Sequence, residues 1–427
     1  MSQAQQTYIP RIVDQQISDL VASYPAIVID GPKAVGKTSS ASQVANTVLR
    51  VDVPRIKESL ENNPDQLASA DKPVLIDEWQ HYPPIWDAVR RFVDDSAQPG
   101  SYILAGSAYP ATAKIHSGAG RIIHLRMRPL SLQERQLATP VVSLKECLQG
   151  TIAKVNGMTQ LTAVDYIHEL VRSGFPAIWL AKEENRGMLL DSYIDNIVNK
   201  EFPELGQSIR RPDSLLRWLR AYATASGTSA SYTSILDIAT PGESNKLSRS
   251  TMETYRNALT GLWLMDEVPA WNPLEGGFSR LKQSPKHFLA DPAITARLLG
   301  FDEKMLLEGA EDTRFDNSYG TLVGRLFESL IALSLQTYAT ANNAKLGYMR
   351  SRNGDREVDF IVHQGRKIVA IEVKFSPTVT DSDVRHLKWL RDEYGKHFME
   401  GIIITTGESA YRRHDEILVV PAALLGA

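Results

Sequence analysis

A lone cysteine, Cys147, gives the 427-residue chain no partner for an internal disulfide and no thiolate set for a zinc site, and we assign it no role. No apolar run approaches the roughly 18 residues that a membrane-crossing helix needs. The opening MSQAQQTYIPRIVDQQ is too polar to read as a signal peptide. These absences set the expectation of a cytoplasmic protein without a membrane partner. Excess charge is also scarce: 47 Lys and Arg stand against 50 Asp and Glu, a formal net charge of −3. Contact with nucleic acid therefore has to come from a local patch. Histidines such as His168 lack neighbours at metal-ligand spacing. What the chain does have, 43% hydrophobic and 23% charged residues, suffices for about two to four domains with their own cores.

The most informative segment is the apolar run Ala26-Ile27-Val28-Ile29, which reads as a buried strand. It leads into Gly31-Pro32-Lys33-Ala34-Val35-Gly36-Lys37-Thr38-Ser39. Glycines at the first and sixth places let backbone N–H groups turn inward around a phosphate chain. Lys37 then reaches the β and γ phosphates, and the Thr38 hydroxyl ligates Mg²⁺. Residues 31–39 are thus expected to bind ATP. A second apolar strand, Pro73-Val74-Leu75-Ile76, ends in Asp77-Glu78. Asp77 is expected to hold the Mg²⁺ shell and Glu78 to polarise the attacking water.

The apolar residues of Ile85 to Val93 recur at helical spacing and suit packing. The strand Tyr102-Ile-Leu-Ala-Gly106-Ser107 ends in a small polar residue, either a sensor of the γ-phosphate or the cap of a turn. From Lys114 to Arg135 the chain carries Lys114, Arg121, Arg126, Arg128 and Arg135 against only Glu134. Two readings stand for this patch. Arg121 supplies positive charge to the γ-phosphate, in its own site or a neighbour's, or the arginines form a solvated strand edge or a nucleic-acid surface.

Taken together, Gly31 to Thr38, Leu75-Ile-Asp-Glu-Trp-Gln80, Tyr102 to Ser107, Gly120-Arg-Ile and Arg128-Pro-Leu-Ser-Leu-Gln-Glu-Arg135 resemble a prokaryotic family of ATPases of the AAA superfamily with a characteristic C-terminal domain. The resemblance covers essentially the whole chain. It implies an ATP-binding αβα core with a mainly parallel sheet, placed here at residues 1–140, and says little about biological role.

Residues 141–225 turn helical and read as a lid or connector. Residues 226–300 follow the order helix, turn, capped helix, hairpin of a winged helix, with Ser248 or Ser250 as N-cap. Arg249, Arg256 and Asn257 either face a DNA groove or belong to a module that mediates packing.

In residues 301–427, Glu328 sits on an apolar helix beside Phe327, Leu330 and Ile331, where a carboxylate wants a partner. Tyr348 to Arg350, Glu357 to Val362 and Lys367 to Lys374 read as successive strands, with His363-Gln-Gly-Arg366 as a hairpin turn. Alternation puts Glu372 and Lys374 on one face, with Asp359 on the adjacent strand. That is the D…E-x-K arrangement of restriction-endonuclease-like folds. Asp359, Glu372 and Glu328 are candidate ligands for a second Mg²⁺ or Mn²⁺, and Lys374 would orient the hydroxide attacking a phosphodiester. The alternative is a salt-bridged cluster in a degenerate nuclease fold.

The expected class is therefore α/β: a P-loop core, a helical and winged-helix-like middle, and a restriction-endonuclease-like C-terminal domain. The expected function is Mg²⁺-dependent ATP hydrolysis coupled to a domain that binds or cuts DNA or RNA. The alternative is a nucleotide-dependent protein-interaction switch with an inactive docking domain. If Arg121 acts in trans, a homo-oligomer follows.

Overall fold

A computed structural model of the chain describes residues 8–95, 97–108, 118–152, 154–205, 212–240, 248–271, 283–311, 317–351 and 354–427. The first sheet consists of β1 (Ala26–Asp30), β2 (Thr47–Arg50), β3 (Val74–Asp77), β4 (Tyr102–Gly106) and β5 (Ile122–Arg126), in the order β2-β3-β4-β1-β5. All its pairings are parallel. β1, β3 and β4 are buried along their whole length, which is why they read as unbroken apolar runs rather than alternating ones. Ile27 and Ile29 face a core shared with the helical middle. Ala26 and Val28 face another, built on Trp79 and Trp86, whose rings lie 4.9 Å apart. Register sets Asp30 opposite Gly106 and Asp77 opposite Ala105, so the carboxyl ends of three strands form one row.

The middle is helical, with Ala163–Arg172, Glu183–Asn196 and Pro212–Thr224 as its longer members and a single π turn over Ile197–Glu201. Tyr232–Ala239 and Arg249–Gly261 follow, each capped by the serine before it: Ser231 accepts from the Ser234 N–H and Ser248 from the Thr251 N–H. Two antiparallel bridges, Met265 to Leu289 and Val268 to Lys286, then close a hairpin.

Two short strands follow the first sheet, β6 (Val142–Ser143) and β7 (Gly157–Met158). The rest belong to the C-terminal part: β8 (Lys345–Arg350), β9 (Glu357–Gln364), β10 (Lys367–Val373), β11 (Phe398–Thr405), β12 (Ser409–Arg412), β13 (Leu418–Pro421) and β14 (Leu425–Gly426). They form a seven-stranded mixed sheet, β7-β12-β13-β11-β10-β9-β8, and a small pair, β14-β6. Val369 and Ile371 pack towards the long helix Asn317–Ala341; Ile368 and Ala370 pack on the opposite face with Leu387 and Leu390 of Asp381–Tyr394. Leu144, Leu148, Tyr166 and Leu170, expected in the lid, join the C-terminal core instead. The helical residues that pack on the first sheet begin later, around Phe175 and Leu190.

Candidate functional site

The phosphate loop leaves β1 at buried Asp30. Two of its residues adopt the left-handed region, Ala34 (φ 67°) and Gly36 (φ 101°), the latter starting the short helix Lys37–Ala41. At Gly31 the constraint is space, since a Cβ there would sit 2.2 Å from the Met127 carbonyl oxygen. Lys37 is buried, and its ammonium donates to the carbonyls of Gly31 (2.9 Å) and Pro32 (2.8 Å). The Thr38 hydroxyl donates to Asp77 Oδ1 at 2.8 Å, which brings the two expected Mg²⁺ ligands together. Burial pushes the Asp77 carboxyl up, opposed first by the Thr38 hydrogen bond.

Glu78 stands beyond the end of β3 in a left-handed conformation (φ 54°) that turns its side chain across the sheet end. The Ser107 hydroxyl donates to Glu78 Oε2 at 3.4 Å, and the Gln80 amide donates both to that oxygen and to Ser107 Oγ at 3.3 Å. Ser107 thus sits beside the proposed base and does more than cap a turn. Sequence reading quoted Gln80 only as part of a motif and gave it no task. It also passed over Arg11, which is buried and donates to Val35 O (2.8 Å), Arg128 O (2.6 Å) and Glu134 Oε1 (3.0 Å). Arg11 therefore ties the phosphate loop to the segment after β5. No local pattern marks it, because every partner of its guanidinium but Val35 lies more than 100 residues along the chain.

Burial lowers the Lys37 pKa to about 8, against the pull of Glu78 and Asp77. A lysine depressed in the folded state weakens folding below that pH, and the cost disappears as pH rises towards the unfolded value near 10.4. Phosphate binding requires the charged form. ATP binding is therefore expected to take up close to one proton at about pH 9 and almost none at about pH 6.5, with affinity falling up to about tenfold per pH unit above 8. Titration calorimetry in two buffers of different ionisation heat measures that uptake; equal, near-zero uptake at both pH values would remove Lys37 from phosphate binding.

The arginine patch is resolved differently from either reading. Arg121 precedes β5, whose Ile122 pairs with Ala26, so it lies at the end of the sheet opposite the phosphate loop, 2.5 Å from Asp94 on the surface. This corrects the expectation that Arg121 serves the γ-phosphate of its own chain. Arg126 (3.0 Å) and Arg128 (2.7 Å) both grip Asp266 of the middle hairpin, and Arg135 grips Glu169 at 2.8 Å. They are clamps between parts of the chain rather than a solvated strand edge. Lys114 lies outside the described residues. Arg256, a candidate for a DNA groove, stacks on the Tyr232 ring, 4.8 Å from its centre.

The C-terminal carboxylates do converge, around a cation that sequence reading missed. Lys286 contacts Glu328, approaches Asp359 Oδ1 at 3.1 Å and lies 3.9 Å from Glu357. Asp359 Oδ2 accepts the Val373 N–H at 2.9 Å, and Asp359 shares a hydrogen bond with Glu372. Burial opposes ionisation of Asp359, yet Lys286 and these hydrogen bonds hold it below the usual carboxylate range. Burial, then the Asp359 charge, pushes Glu372 well up, and burial raises Glu328 to about 7. Among the described residues no three His, Cys, Asp or Glu side chains are disposed to hold a metal ion. The metal site expected at Glu328, Asp359 and Glu372 is therefore corrected: an ammonium stands among these side chains. Lys374 is half-buried, its ammonium 3.9 Å from Asp383 and its charge still acting on Glu372.

Comparison with known proteins follows this division. Residues 23–136 match a family model described as an AAA domain. The N-terminal unit is a nucleotide-binding unit of the P-loop ATPase type. Residues 164–305 and 323–425 match two domains of unknown function, DUF8612 and DUF4143. Uncharacterized proteins of Mycobacterium bovis and Mycobacterium tuberculosis are each 24% identical over 411 residues, spanning 93% of this chain and 80% of their own. Among solved structures, a Walker-type ATPase of Pyrococcus abyssi aligns with TM-score 0.40 and 14% identity over 69% of this chain and 97% of its own. The ORC2 protein of Aeropyrum pernix aligns with TM-score 0.32 and 13% identity over 77% and 98%. No described helix is long and apolar enough to cross a membrane.

Proposed function

We propose that the protein is a Mg²⁺-dependent ATPase whose nucleotide state is passed to a C-terminal nuclease-like fold that docks a partner rather than cutting nucleic acid. The observation that carries the reading is the Thr38–Asp77 contact at 2.8 Å, with Lys37 and Glu78 at the same sheet end. In this reading Lys37 leaves the Gly31 and Pro32 carbonyls to bind the β and γ phosphates. Thr38 and Asp77 would hold Mg²⁺, which when bound would supply positive charge against the phosphates. Glu78, positioned by Ser107 and Gln80, accepts a proton from the attacking water. The change is passed on through the arginines at and just beyond the end of β5, since Arg126 and Arg128 hold the hairpin that carries Lys286.

The docking reading is favoured over cleavage because Lys286 fills the acidic cluster. Labelled single- and double-stranded DNA and RNA, incubated with the protein, Mg²⁺ or Mn²⁺, with or without ATP, are expected to remain intact while ATP is consumed. Cleavage that disappears in Asp359→Ala would overturn the docking reading and restore a nuclease.

A further inference from the structure

Lys286 comes from neither of the elements whose acids it meets. It lies on the returning arm of the middle hairpin, where its N–H donates to Val268 O at 2.8 Å and its carbonyl accepts the Val268 N–H at 2.9 Å. From there its side chain enters the C-terminal domain and is 3% exposed. Glu328 reaches it from the long helix, Asp359 and Glu357 from β9, and Glu372 lies behind Asp359 at the end of β10. A divalent cation would need carboxylate oxygens about 2.0–2.6 Å away on several sides, and the space they would surround holds the ammonium. A lone lysine inside a protein is costly; with two ionised or hydrogen-bonded carboxylates on it, the cluster is neutralised from within.

The position of the lysine is fixed from two directions. Asp266, two residues before Val268, is held by Arg126 at the end of β5 and by Arg128 just beyond it. The Gln336 amide donates to the Asp266 carbonyl at 3.2 Å from the same long helix that carries Glu328, roughly two turns away. The hairpin that inserts Lys286 is therefore the one the nucleotide-binding unit grips.

We propose that Lys286 is a built-in cation that closes the Glu328, Asp359 and Glu372 cluster to Mg²⁺ or Mn²⁺ while the hairpin is docked on the ATPase sheet. The inference deepens the docking reading of the C-terminal domain: the lysine, not the loss of the acids, keeps that domain from binding metal. Removing the ammonium leaves the acids with the composition of a hard-cation site.

The test is Mn²⁺ binding to the nucleotide-free full chain, followed by electron paramagnetic resonance of the free ion. Wild type and Asp359→Asn are expected to titrate identically. Lys286→Ala is expected to gain a site at least ~10-fold tighter than any in wild type, lost again in Lys286→Ala/Asp359→Asn, whereas Lys286→Arg keeps the cluster closed. A wild-type site that Asp359→Asn removes overturns the proposal, as does a folded Lys286→Ala without a new site. Should Lys286→Ala fail to fold, the wild-type and Asp359→Asn pair decides: identical titrations support closure and a difference refutes it. ATP hydrolysis by the same wild-type sample is scored separately, so failure of the ATPase reading leaves these titrations unaffected.

Discussion

Glu78→Gln is expected to slow ATP hydrolysis by about 10²- to 10⁴-fold while ATP affinity stays within a few-fold. The size follows from the single role assigned to the carboxylate, taking a proton from the attacking water. The specificity follows from the geometry. Glutamine has nearly the same shape, and its oxygen still accepts from the Ser107 hydroxyl that lies 3.4 Å from Glu78 Oε2. The groups proposed to hold nucleotide, Lys37, Thr38 and Asp77, make their contacts with the phosphate loop and with one another, not through Glu78. Single-turnover hydrolysis, with calorimetric binding alongside, separates the two effects. An unchanged rate would assign the base elsewhere. A matched loss of rate and affinity would make Glu78 part of the binding site instead.

Asp266→Ala is expected to destabilise the folded protein by about 3–5 kcal/mol, because it strands two guanidinium groups at a buried joint. Arg128 holds the carboxylate through both Nε (2.7 Å) and Nη2 (3.3 Å), and Arg126 adds a contact at 3.0 Å. Burial opposes ionisation of Asp266, but the two arginines outweigh it and keep the carboxyl below its usual range. A depressed carboxyl stabilises the fold above the unfolded value near 3.9, and that contribution is lost as pH falls through the folded value. The loss in Asp266→Ala should therefore be constant from about pH 5 to pH 8 and shrink only in strong acid. Arg121→Ala provides the contrast: its partner Asp94 is on the surface and both side chains are about 40% exposed, so the change should be under about 1 kcal/mol. Urea denaturation of the three proteins measures both values; equal midpoints would show that the joint bears no load.

The groups that meet at the end of the first sheet were legible because they are local or carry their own strand. The phosphate loop spans nine residues, and the Asp77-Glu78 pair announces itself by the apolar run before it. What connects the parts was not legible. The arginines after β5 look like a basic surface when only Glu134 is near in sequence, yet Asp266 lies 138 residues beyond Arg128 and Glu169 lies 34 beyond Arg135. Such pairs are set by tertiary packing, and charge patterning along the chain is blind to them.

The same limit applied to the acidic cluster. Strand alternation brought Asp359 and Glu372 together, and the apolar surroundings of Glu328 correctly demanded a partner. The partner, Lys286, stands 73 residues before Asp359 in a segment with no motif of its own. Arg121 went astray for a different reason. In a parallel sheet the start and end of a strand lie at opposite poles, and a glycine-flanked arginine just before β5 sits at the pole away from the phosphates.

The most direct measurement is phosphate release from ATP by purified wild-type protein and Lys37→Ala, side by side in Mg²⁺ and in excess chelator. Turnover in the wild type that requires Mg²⁺ and falls to background in Lys37→Ala is the expected result. Equal release by both proteins, or release that persists in chelator, would contradict an ATPase site built on Lys37, Thr38 and Asp77.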